Sequence, residues 1–169
     1  MLIIFGGLPG TGKTTLARAL ARELGACHVR VDTIEQALLA AAPERPVGEA
    51  GYRIAFVIAE DNLRLGRSVV ADSVNPLSIT REAWRDVATR VGVASAEIEV
   101  VCGDIEEHRR RVEMRTADIP GHRLPSWQDV VMREYEPWSG DRLVIDTAGR
   151  DEEQSLAELM SALTRHLAR

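Results

Sequence analysis

A glycine-rich segment near the amino terminus carries the residue types that bind phosphate. Gly7 is followed by four residues and then by Gly12, Lys13 and Thr14, which is the spacing G-x-x-x-x-G-K-[ST]. Glycines let the chain curl so that successive backbone N–H groups point toward an anion. Lys13 can reach the β- and γ-phosphates of a nucleotide, and the Thr14 hydroxyl can ligate Mg²⁺. An ordinary turn before a helix would explain the glycines, but it would leave Lys13 and Thr14 at this offset to coincidence.

The residues around this spacing extend the predicted phosphate site. An apolar run at 2–5 predicts a strand before it, and an amphipathic pattern at 13–24 predicts a helix after it. The helix adds the positive end of its dipole and its unpaired N–H groups to the same point. We therefore expect ATP and Mg²⁺ to bind here. The residues predicted to contact the nucleotide are Gly7, Leu8, Pro9, Gly10, Thr11, Gly12, Lys13, Thr14 and Thr15.

An aspartate follows the second predicted strand. Asp32 comes directly after the stretch CHVRV at 27–31. In open α/β sheets the ligand lies beyond the carboxyl ends of the strands. Phosphoryl transfer to an alcohol needs a carboxylate near the attacking hydroxyl, which makes Asp32 a candidate general base in contact with the acceptor. The alternative is a helix N-cap or first-turn residue that favours the helix dipole.

A second aspartate ends the third predicted strand. Asp72 lies in the run SVVADS at 68–73, and the turn-forming residues SVNP follow it. Asp72 is a candidate to hold a water on Mg²⁺ or, together with Asn75, to contact the acceptor. The alternative is that Asp72 and Asn75 build an Asx turn.

Residues 103–123 are the basic part of an acidic chain. Arg111 and Arg115 are four residues apart, and on a helix they would share a face. Arginines that close over a bound triphosphate would stabilise the developing charge and exclude water. Arg123 would add a contact from a mobile loop. The alternative is a solvated helix face whose arginines pair with Glu106, Glu107 and Glu113.

The elements that must position these residues alternate between strands and helices. Predicted strands lie at 2–5, 27–31, 68–73, 97–102 and 142–146. Predicted helices lie at about 13–24, 34–41, 50–65, 80–91 and 151–166. This alternation predicts an α/β fold with a doubly wound, mostly parallel five-stranded sheet and helices on both faces. With a phosphate loop after the first strand, we predict a P-loop NTPase fold in a single domain, 1–169, with a small helical lid at about 104–135.

The composition favours a soluble enzyme with a small partner. With 45% hydrophobic residues in 169, the chain can bury one sizeable core. Its net charge of −5 and aromatic fraction of 4% argue against a nucleic-acid binder and a membrane-surface protein. No segment has the pattern of a signal peptide or a membrane span. Cys27 and Cys102 are expected to be reduced thiols of the core, so we predict a cytoplasmic protein.

Histidines and aromatic residues near the predicted lid receive structural interpretations. His108 and His122 have no cysteine or carboxylate cluster at metal-ligand spacing, so we expect them at the surface or in the lid. Trp127, Tyr135 and Trp138 are expected to pack the lid or to wall the acceptor pocket.

Four stretches, in this order, resemble a known group of enzymes. GGLPGTGKTT, VRVDTIEQAL, VVADSVN and CGDIEEHRRRVEMR are similar to the small P-loop kinases related to chloramphenicol phosphotransferase and the zeta toxins, over most of the chain. The resemblance implies that Asp32 is the general base on the acceptor hydroxyl and that Arg111 and Arg115 grip phosphates. The stretch VVADSVNPLSITREAW is also similar to polynucleotide 5′-hydroxyl kinases, and GHRLPSW is similar to gluconate kinase.

The leading hypothesis is an ATP- and Mg²⁺-dependent kinase that transfers the γ-phosphate to a hydroxyl of a small-molecule acceptor. A kinase for a nucleic-acid end or a nucleotide sugar is the first alternative, and a basic channel beside Asp32 would favour it. A nucleotide-dependent switch without an acceptor is the second. Residues 44–62, where such enzymes bind the acceptor, match no pattern that names it.

Overall fold

Five parallel strands form the centre of the protein. The computed structural model describes residues 1–168 and orders the sheet β2-β3-β1-β4-β5, with each pairing parallel. The strands are β1 Leu2–Gly6, β2 Cys27–Arg30, β3 Val69–Asp72, β4 Ser95–Val101 and β5 Leu143–Asp146. The predicted five-stranded sheet is confirmed.

Helices cover both faces of this sheet. Helices α1 and α7 pack on one face, and α3 and α4 pack on the other. The helices are α1 Lys13–Leu24, α2 Val31–Ala41, α3 Ala50–Arg64, α4 Ser78–Val91, α5 Ile105–Met114, α6 Trp127–Val131 and α7 Glu152–Leu167. The doubly wound P-loop NTPase architecture predicted from the sequence is thereby confirmed.

Strand β1 supplies side chains to both cores. Ile3 and Phe5 point into the core under α1 and α7, whereas Leu2 and Ile4 point into the core under α3 and α4. Successive side chains of a strand alternate between faces, and a central parallel strand is covered on both. This is why the strand is a continuous apolar run, LIIF, without polar alternation.

The strand register brings the ends of three neighbouring strands to one edge of the sheet. Phe5, which ends the apolar run of β1, lies opposite Asp72 of β3, and Asp72 lies opposite Arg30 of β2. The glycine-rich loop leaves β1 one residue later. The carboxyl ends of β1, β3 and β2 therefore set the phosphate loop, a buried carboxylate and a guanidinium side by side.

Two boundaries differ from the sequence predictions in ways that matter for the site. Strand β2 ends at Arg30, and α2 begins at once with Val31, so Asp32 lies in the first turn of a helix. Helix α5 ends at Met114, and Arg115 has the extended backbone angles φ −68° and ψ 138°. The prediction that Arg111 and Arg115 share a helix face is therefore wrong, because the chain has already turned away to cross the cavity.

The segment predicted as a lid consists of α5, an irregular stretch and the short α6. The irregular stretch carries Asp118, which reaches Arg18 of α1 and Arg30 of β2. No helix within residues 1–168 has both the length and the apolar character needed to span a bilayer. Cys27 and Cys102 are both free thiols.

Candidate active site

The glycine-rich loop adopts a conformation that only glycine tolerates. Gly7, Gly10 and Gly12 have φ values of 142°, 89° and 87°. A Cβ atom on Gly7 would also lie 2.3 Å from the carbonyl oxygen of Val100. In the part of the chain that the structure describes, no side chain caps the amino terminus of α1, whose N-cap is Gly12. The amides of the first helical turn are thus available for an anionic ligand.

Lys13, Thr14 and Asp72 meet directly beside this loop. The Lys13 ammonium donates to Asp72 Oδ1 at 3.2 Å, and the Thr14 hydroxyl donates to the same oxygen at 3.3 Å. His28 Nε2 lies 3.3 Å from the other carboxylate oxygen, Oδ2. Asp72 is only 1% exposed. Lysine, hydroxyl and carboxylate therefore face the position where a loop-bound phosphate would lie.

The environment of Asp72 keeps its carboxylate ionised. Burial by itself would raise the pKa of this group, but the Lys13 ammonium and His28 act in the opposite direction. The Thr14 hydroxyl adds a further hydrogen bond to the charged form. The net result is a pKa well below the usual aspartate range. Asp72 is consequently an anion at any physiological pH.

The same residues fit a magnesium ion of the kind that nucleotides bring with them. Among residues 1–168 no group of three or more His, Cys, Asp or Glu side chains could hold a metal. Mg²⁺ needs no such cage, since it keeps several waters and takes one or two protein oxygens plus phosphate oxygens. The Thr14 hydroxyl and the Asp72 carboxylate, 3.3 Å apart, provide those protein oxygens.

Asp32 lines the cavity that opens above the phosphate loop. The cavity has a volume of about 1100 Å³ and is bounded by the loop, α2, the end of β3 and the lid. The Asp32 side chain is 25% exposed, and its Oδ2 lies 3.6 Å from Arg30 Nη2. Both sequence interpretations of Asp32 describe its position, because it is a first-turn helix residue and also faces the cavity.

Asn75 lies beneath the site. It has a positive φ of 48° and is fully buried. Its side-chain amide donates to the Phe5 carbonyl at 2.7 Å, and its backbone N–H donates to the Tyr52 hydroxyl at 3.2 Å. Among the described residues Asn75 is not part of the cavity lining, so the structure does not place it where the predicted acceptor contact requires it. These contacts join the end of β1 to α3.

The lid arginines reach the cavity by different routes. Arg111 donates to the hydroxyl and the carbonyl oxygen of Thr147, at 2.8 and 2.9 Å, and to Glu107 at 2.5 Å. Arg115 and Arg123 also line the cavity. The predicted alternative, pairing with glutamates, therefore describes Arg111 in part, since it has a glutamate partner while it faces the loop.

One interpretation from the sequence needs revision, and a second is narrowed. His108 lies in the lid, one of the two positions expected for it, and its buried side chain donates to the Pro9 carbonyl of the phosphate loop at 2.8 Å. Trp127 packs edge-on against His108 and so belongs to the lid, as expected. Trp138 instead packs on Arg81, with its indole N–H donating to Tyr135, away from the cavity wall.

Three residues of the site were missed by sequence reasoning. Arg18, Arg30 and Asp118 line the cavity, and both arginines donate to Asp118, although the three residues come from α1, β2 and the lid. The only local signal was Arg30, a charged residue inside the apolar strand CHVRV. Nothing in the sequence near Asp118 indicates that it reaches these arginines.

A family model described as an AAA domain matches residues 2–133. Among curated proteins, the small subunit of replication factor C from Methanococcus maripaludis is 31% identical over 98 residues. This alignment covers 50% of the chain and 29% of that protein. The chain thus spans less than a third of the length of the curated relatives it matches.

Similar solved structures extend over almost the whole chain. A candidate kinase from Chloroflexus aurantiacus has a TM-score of 0.74 at 23% identity, with 95% of this chain and 96% of that one covered. A gluconokinase from Sinorhizobium meliloti has a TM-score of 0.68 at 19% sequence identity, with 96% of this chain and 91% of that one covered. The APS kinase of Mycobacterium tuberculosis, in complex with AMPPNP and APS, has a TM-score of 0.71 at 19% sequence identity, with 96% of both chains covered.

These neighbours share the fold, and the family match includes both the phosphate loop and Asp72. The fold is that of the small P-loop kinases, as the sequence resemblance implied. Since the family match spans more than three quarters of its residues, the chain belongs to the AAA domain family of P-loop proteins.

Proposed function

We propose that the protein is an ATP- and Mg²⁺-dependent phosphotransferase whose acceptor is a hydroxyl of a small molecule. The observation that carries the proposal is that Lys13 and Thr14, both hydrogen-bonded to the buried Asp72, line the same cavity as Asp32. A cavity of about 1100 Å³ has room for a nucleotide together with a small acceptor.

On the donor side, the loop amides and Lys13 bind the β- and γ-phosphates. Mg²⁺ held by Thr14 and, through water, by Asp72 would neutralise charge on these phosphates. Arg111 is anchored to Thr147 beyond the end of β5, so it approaches the loop from that side. Arg115 and Arg123 come from the lid and exclude water when the lid is closed.

On the acceptor side, Asp32 accepts the proton of the attacking hydroxyl. It lies at the end of β2, on the other side of the loop from Arg111 and β5. A nucleophile positioned by Asp32 would therefore approach the γ-phosphate from the side opposite Arg111 and β5. In-line phosphoryl transfer requires the leaving nucleotide on that opposite side.

The identity of the acceptor class has support from the solved structures. Two of the similar proteins are a gluconokinase and an APS kinase, which are named for small-molecule acceptors. A kinase for a polynucleotide end or a nucleotide sugar is the second candidate. It is favoured by the lining of the cavity, where seven cationic side chains face five carboxylates.

A nucleotide-dependent switch without an acceptor is the third candidate. The partial similarity to a replication factor C subunit favours it. In that case nucleotide would change the oligomeric state without forming a phosphorylated product.

The experiment that tests the proposal measures phosphate transfer from γ-labelled ATP with Mg²⁺. Pools of sugars, nucleosides, antibiotics and 5′-hydroxyl oligonucleotides serve as acceptors, and wild type is compared with Asp32→Asn. We expect labelled product from one pool and a loss of 10²–10⁴-fold in its rate in the variant, roughly the value of a general base. ATP affinity should stay unchanged.

The matched control is Asp61→Asn, which removes an exposed carboxylate from α3 outside the cavity. It should leave transfer unchanged. Hydrolysis of ATP that is independent of every acceptor, and unaffected by Asp32→Asn, would reject the role of Asp32 and move the switch to first place.

A further inference from the structure

A carboxylate of the lid is bound by two arginines inside the cavity. Asp118 Oδ2 accepts from Arg30 Nη1 at 2.7 Å and from Arg18 Nη2 at 2.5 Å. Its other oxygen, Oδ1, accepts from Arg30 Nη2 at 3.2 Å. Arg30 thus grips both carboxylate oxygens, in the two-pronged geometry by which arginine recognises carboxylate and phosphate groups.

The Arg30 side chain is built into the site. It is only 3% exposed, although it lines the cavity. Within the described residues its Nε has no hydrogen-bond partner and lies 3.9 Å from Asp72 Oδ2. Asp32 Oδ2 lies 3.6 Å from Nη2, so Asp118 is the carboxylate that accepts hydrogen bonds from this guanidinium. Removal of Asp118 would leave these donors of a buried cation open, and a second anion is the group best suited to accept from them.

The two arginines lie in the acceptor half of the cavity. Arg30 ends β2, two residues before Asp32, whereas the phosphate loop follows the central strand β1. Arg111, which approaches from the β5 side, makes its contacts with Thr147 and Glu107. An anion held by Arg18 and Arg30 would consequently lie next to the proposed base and on the other side of the phosphate loop from Arg111.

We propose that Arg18 and Arg30 form an anion subsite for the acceptor, and that Asp118 fills this subsite when the acceptor is absent. The acceptor would carry an oxyanion group, a phosphate, sulfate or carboxylate, in addition to the hydroxyl that is phosphorylated. This inference rests on the proposed function, because it assigns the substrate class of the same cavity.

The charges of the cavity support the exchange of one anion for another. The lining has two more cationic side chains than carboxylates, although the chain as a whole carries a net charge of −5. Asp118 is 36% exposed and belongs to an irregular part of the lid, so its carboxylate can be rehydrated when another anion takes its place on the arginines. An acceptor anion would keep Arg30 paired and release the lid stretch from α1 and β2.

The subsite is tested with inorganic phosphate, sulfate and acetate as separate probes. Each is titrated against protein saturated with MgADP, so that the phosphate loop is already occupied, and its apparent Kd is obtained from the shift in thermal midpoint. The variants are Arg18→Gln and Asp118→Asn. Arg22→Gln is the matched control, since it removes the same charge from an exposed position of α1 outside the cavity.

We expect at least one of the anions to stabilise wild type. The anion that binds most tightly of the three identifies the oxyanion group that the subsite prefers. Arg18→Gln should weaken the binding of that anion at least tenfold, and Arg22→Gln should leave its affinity unchanged. Asp118→Asn should lower the starting midpoint yet tighten the anion about threefold or more, because the competing carboxylate is gone. Equal anion affinity in Arg18→Gln and Arg22→Gln, or weaker binding in Asp118→Asn, would overturn the subsite.

The MgADP step separates this inference from the proposed function. If MgADP fails to stabilise the protein, the proposed phosphotransferase is rejected. A titration of the nucleotide-free Arg18→Gln and Arg22→Gln variants with the anions then still decides whether Arg18 contributes to anion binding. If MgADP binds and the anion response does not depend on Arg18, only the subsite is rejected.

Discussion

At the scale of single residues, Asp72 balances several cations at once. Lys13, His28 and Arg30 all lie within 4 Å of its carboxylate, which is almost completely buried. Its depressed pKa means that the folded protein binds a proton to this group less readily than the unfolded chain does. The stability that Asp72 contributes is therefore present above the pKa of an unfolded aspartate and is lost as the pH falls further.

Replacing Asp72 should expose this dependence. We expect Asp72→Asn to lower the free energy of unfolding by roughly 3 kcal/mol near neutral pH, because Lys13 and Arg30 lose a buried counter-charge. The deficit should shrink as the pH is lowered below about 4, because the unfolded wild-type chain then binds a proton at Asp72 whereas the folded protein still holds the carboxylate ionised. Urea denaturation across the acidic range measures it, and a deficit that does not change with pH would contradict the assignment.

The pKa of Glu35 is shifted in the direction opposite to that of Asp72. Burial raises the pKa of its carboxyl, and the neighbouring charge of Asp32 raises it further, while Arg133 lowers it. The folded protein thus holds this proton more readily than the unfolded chain, so ionised Glu35 destabilises the fold at neutral pH. The contribution of Glu35 to the free energy of unfolding becomes less unfavourable as the pH falls through its raised pKa.

We therefore expect Glu35→Gln to raise the thermal midpoint at neutral pH. The gain should shrink as the pH falls through the raised pKa of Glu35, because wild-type Glu35 then becomes neutral. Thermal unfolding at several pH values tests this, with Glu44→Gln as the control, since Glu44 is exposed and outside the cavity. A similar gain in the control would assign the effect to net charge instead.

At the scale of elements, α5 packs directly onto the phosphate loop. His108 donates to the Pro9 carbonyl, and a Cβ on Gly10 would lie 2.4 Å from a methyl of Val112. On its other side His108 contacts Trp127 of α6. The loop conformation and the lid helices are thus joined through one imidazole.

Removal of this imidazole should loosen the loop. His108→Ala is expected to weaken ATP binding about fivefold, which corresponds to the roughly 1 kcal/mol of a net hydrogen bond. Isothermal titration with MgATP gives the affinity. His166→Ala, at the far end of α7, is the control, and equal losses in the two variants would argue against a link between α5 and the loop.

The elements also show what the sequence could predict. The strands and the phosphate loop were predictable because their signals are local, an apolar run or a fixed spacing. The contact between Arg30 and Asp118 joins residues 88 positions apart, and it depends on an extended stretch after α5 that no helical pattern indicates. The role of Asp32 was predictable only in part, since the position of a helix start decides which way its side chain points.

At the scale of the whole molecule, two cores share one sheet. Trp84 is fully buried in the core under α3 and α4, where it meets Phe56 edge-on at 4.6 Å. Leu16 and Leu159 belong to the opposite core. Because β1 contributes side chains to both, neither core can be lost without the other.

The protein should consequently unfold as one cooperative unit. We expect Trp84→Ala to lower the free energy of unfolding by about 3–5 kcal/mol while the transition stays single. Calorimetry and far-ultraviolet circular dichroism should give the same midpoint. Separate midpoints would indicate two independently folding parts, and the conservative Trp127→Phe in the lid should change the midpoint little.

The placement of the three tryptophans gives the protein its own optical reporters. Trp84 lies in the core and Trp138 rests on Arg81, so the emission of both should be insensitive to the position of the lid. Trp127 contacts His108 at a centroid distance of 5.2 Å, and its emission depends on whether α6 stays docked. A protein with Trp84 and Trp138 replaced by phenylalanine would therefore report lid movement by fluorescence, in real time and without any attached dye.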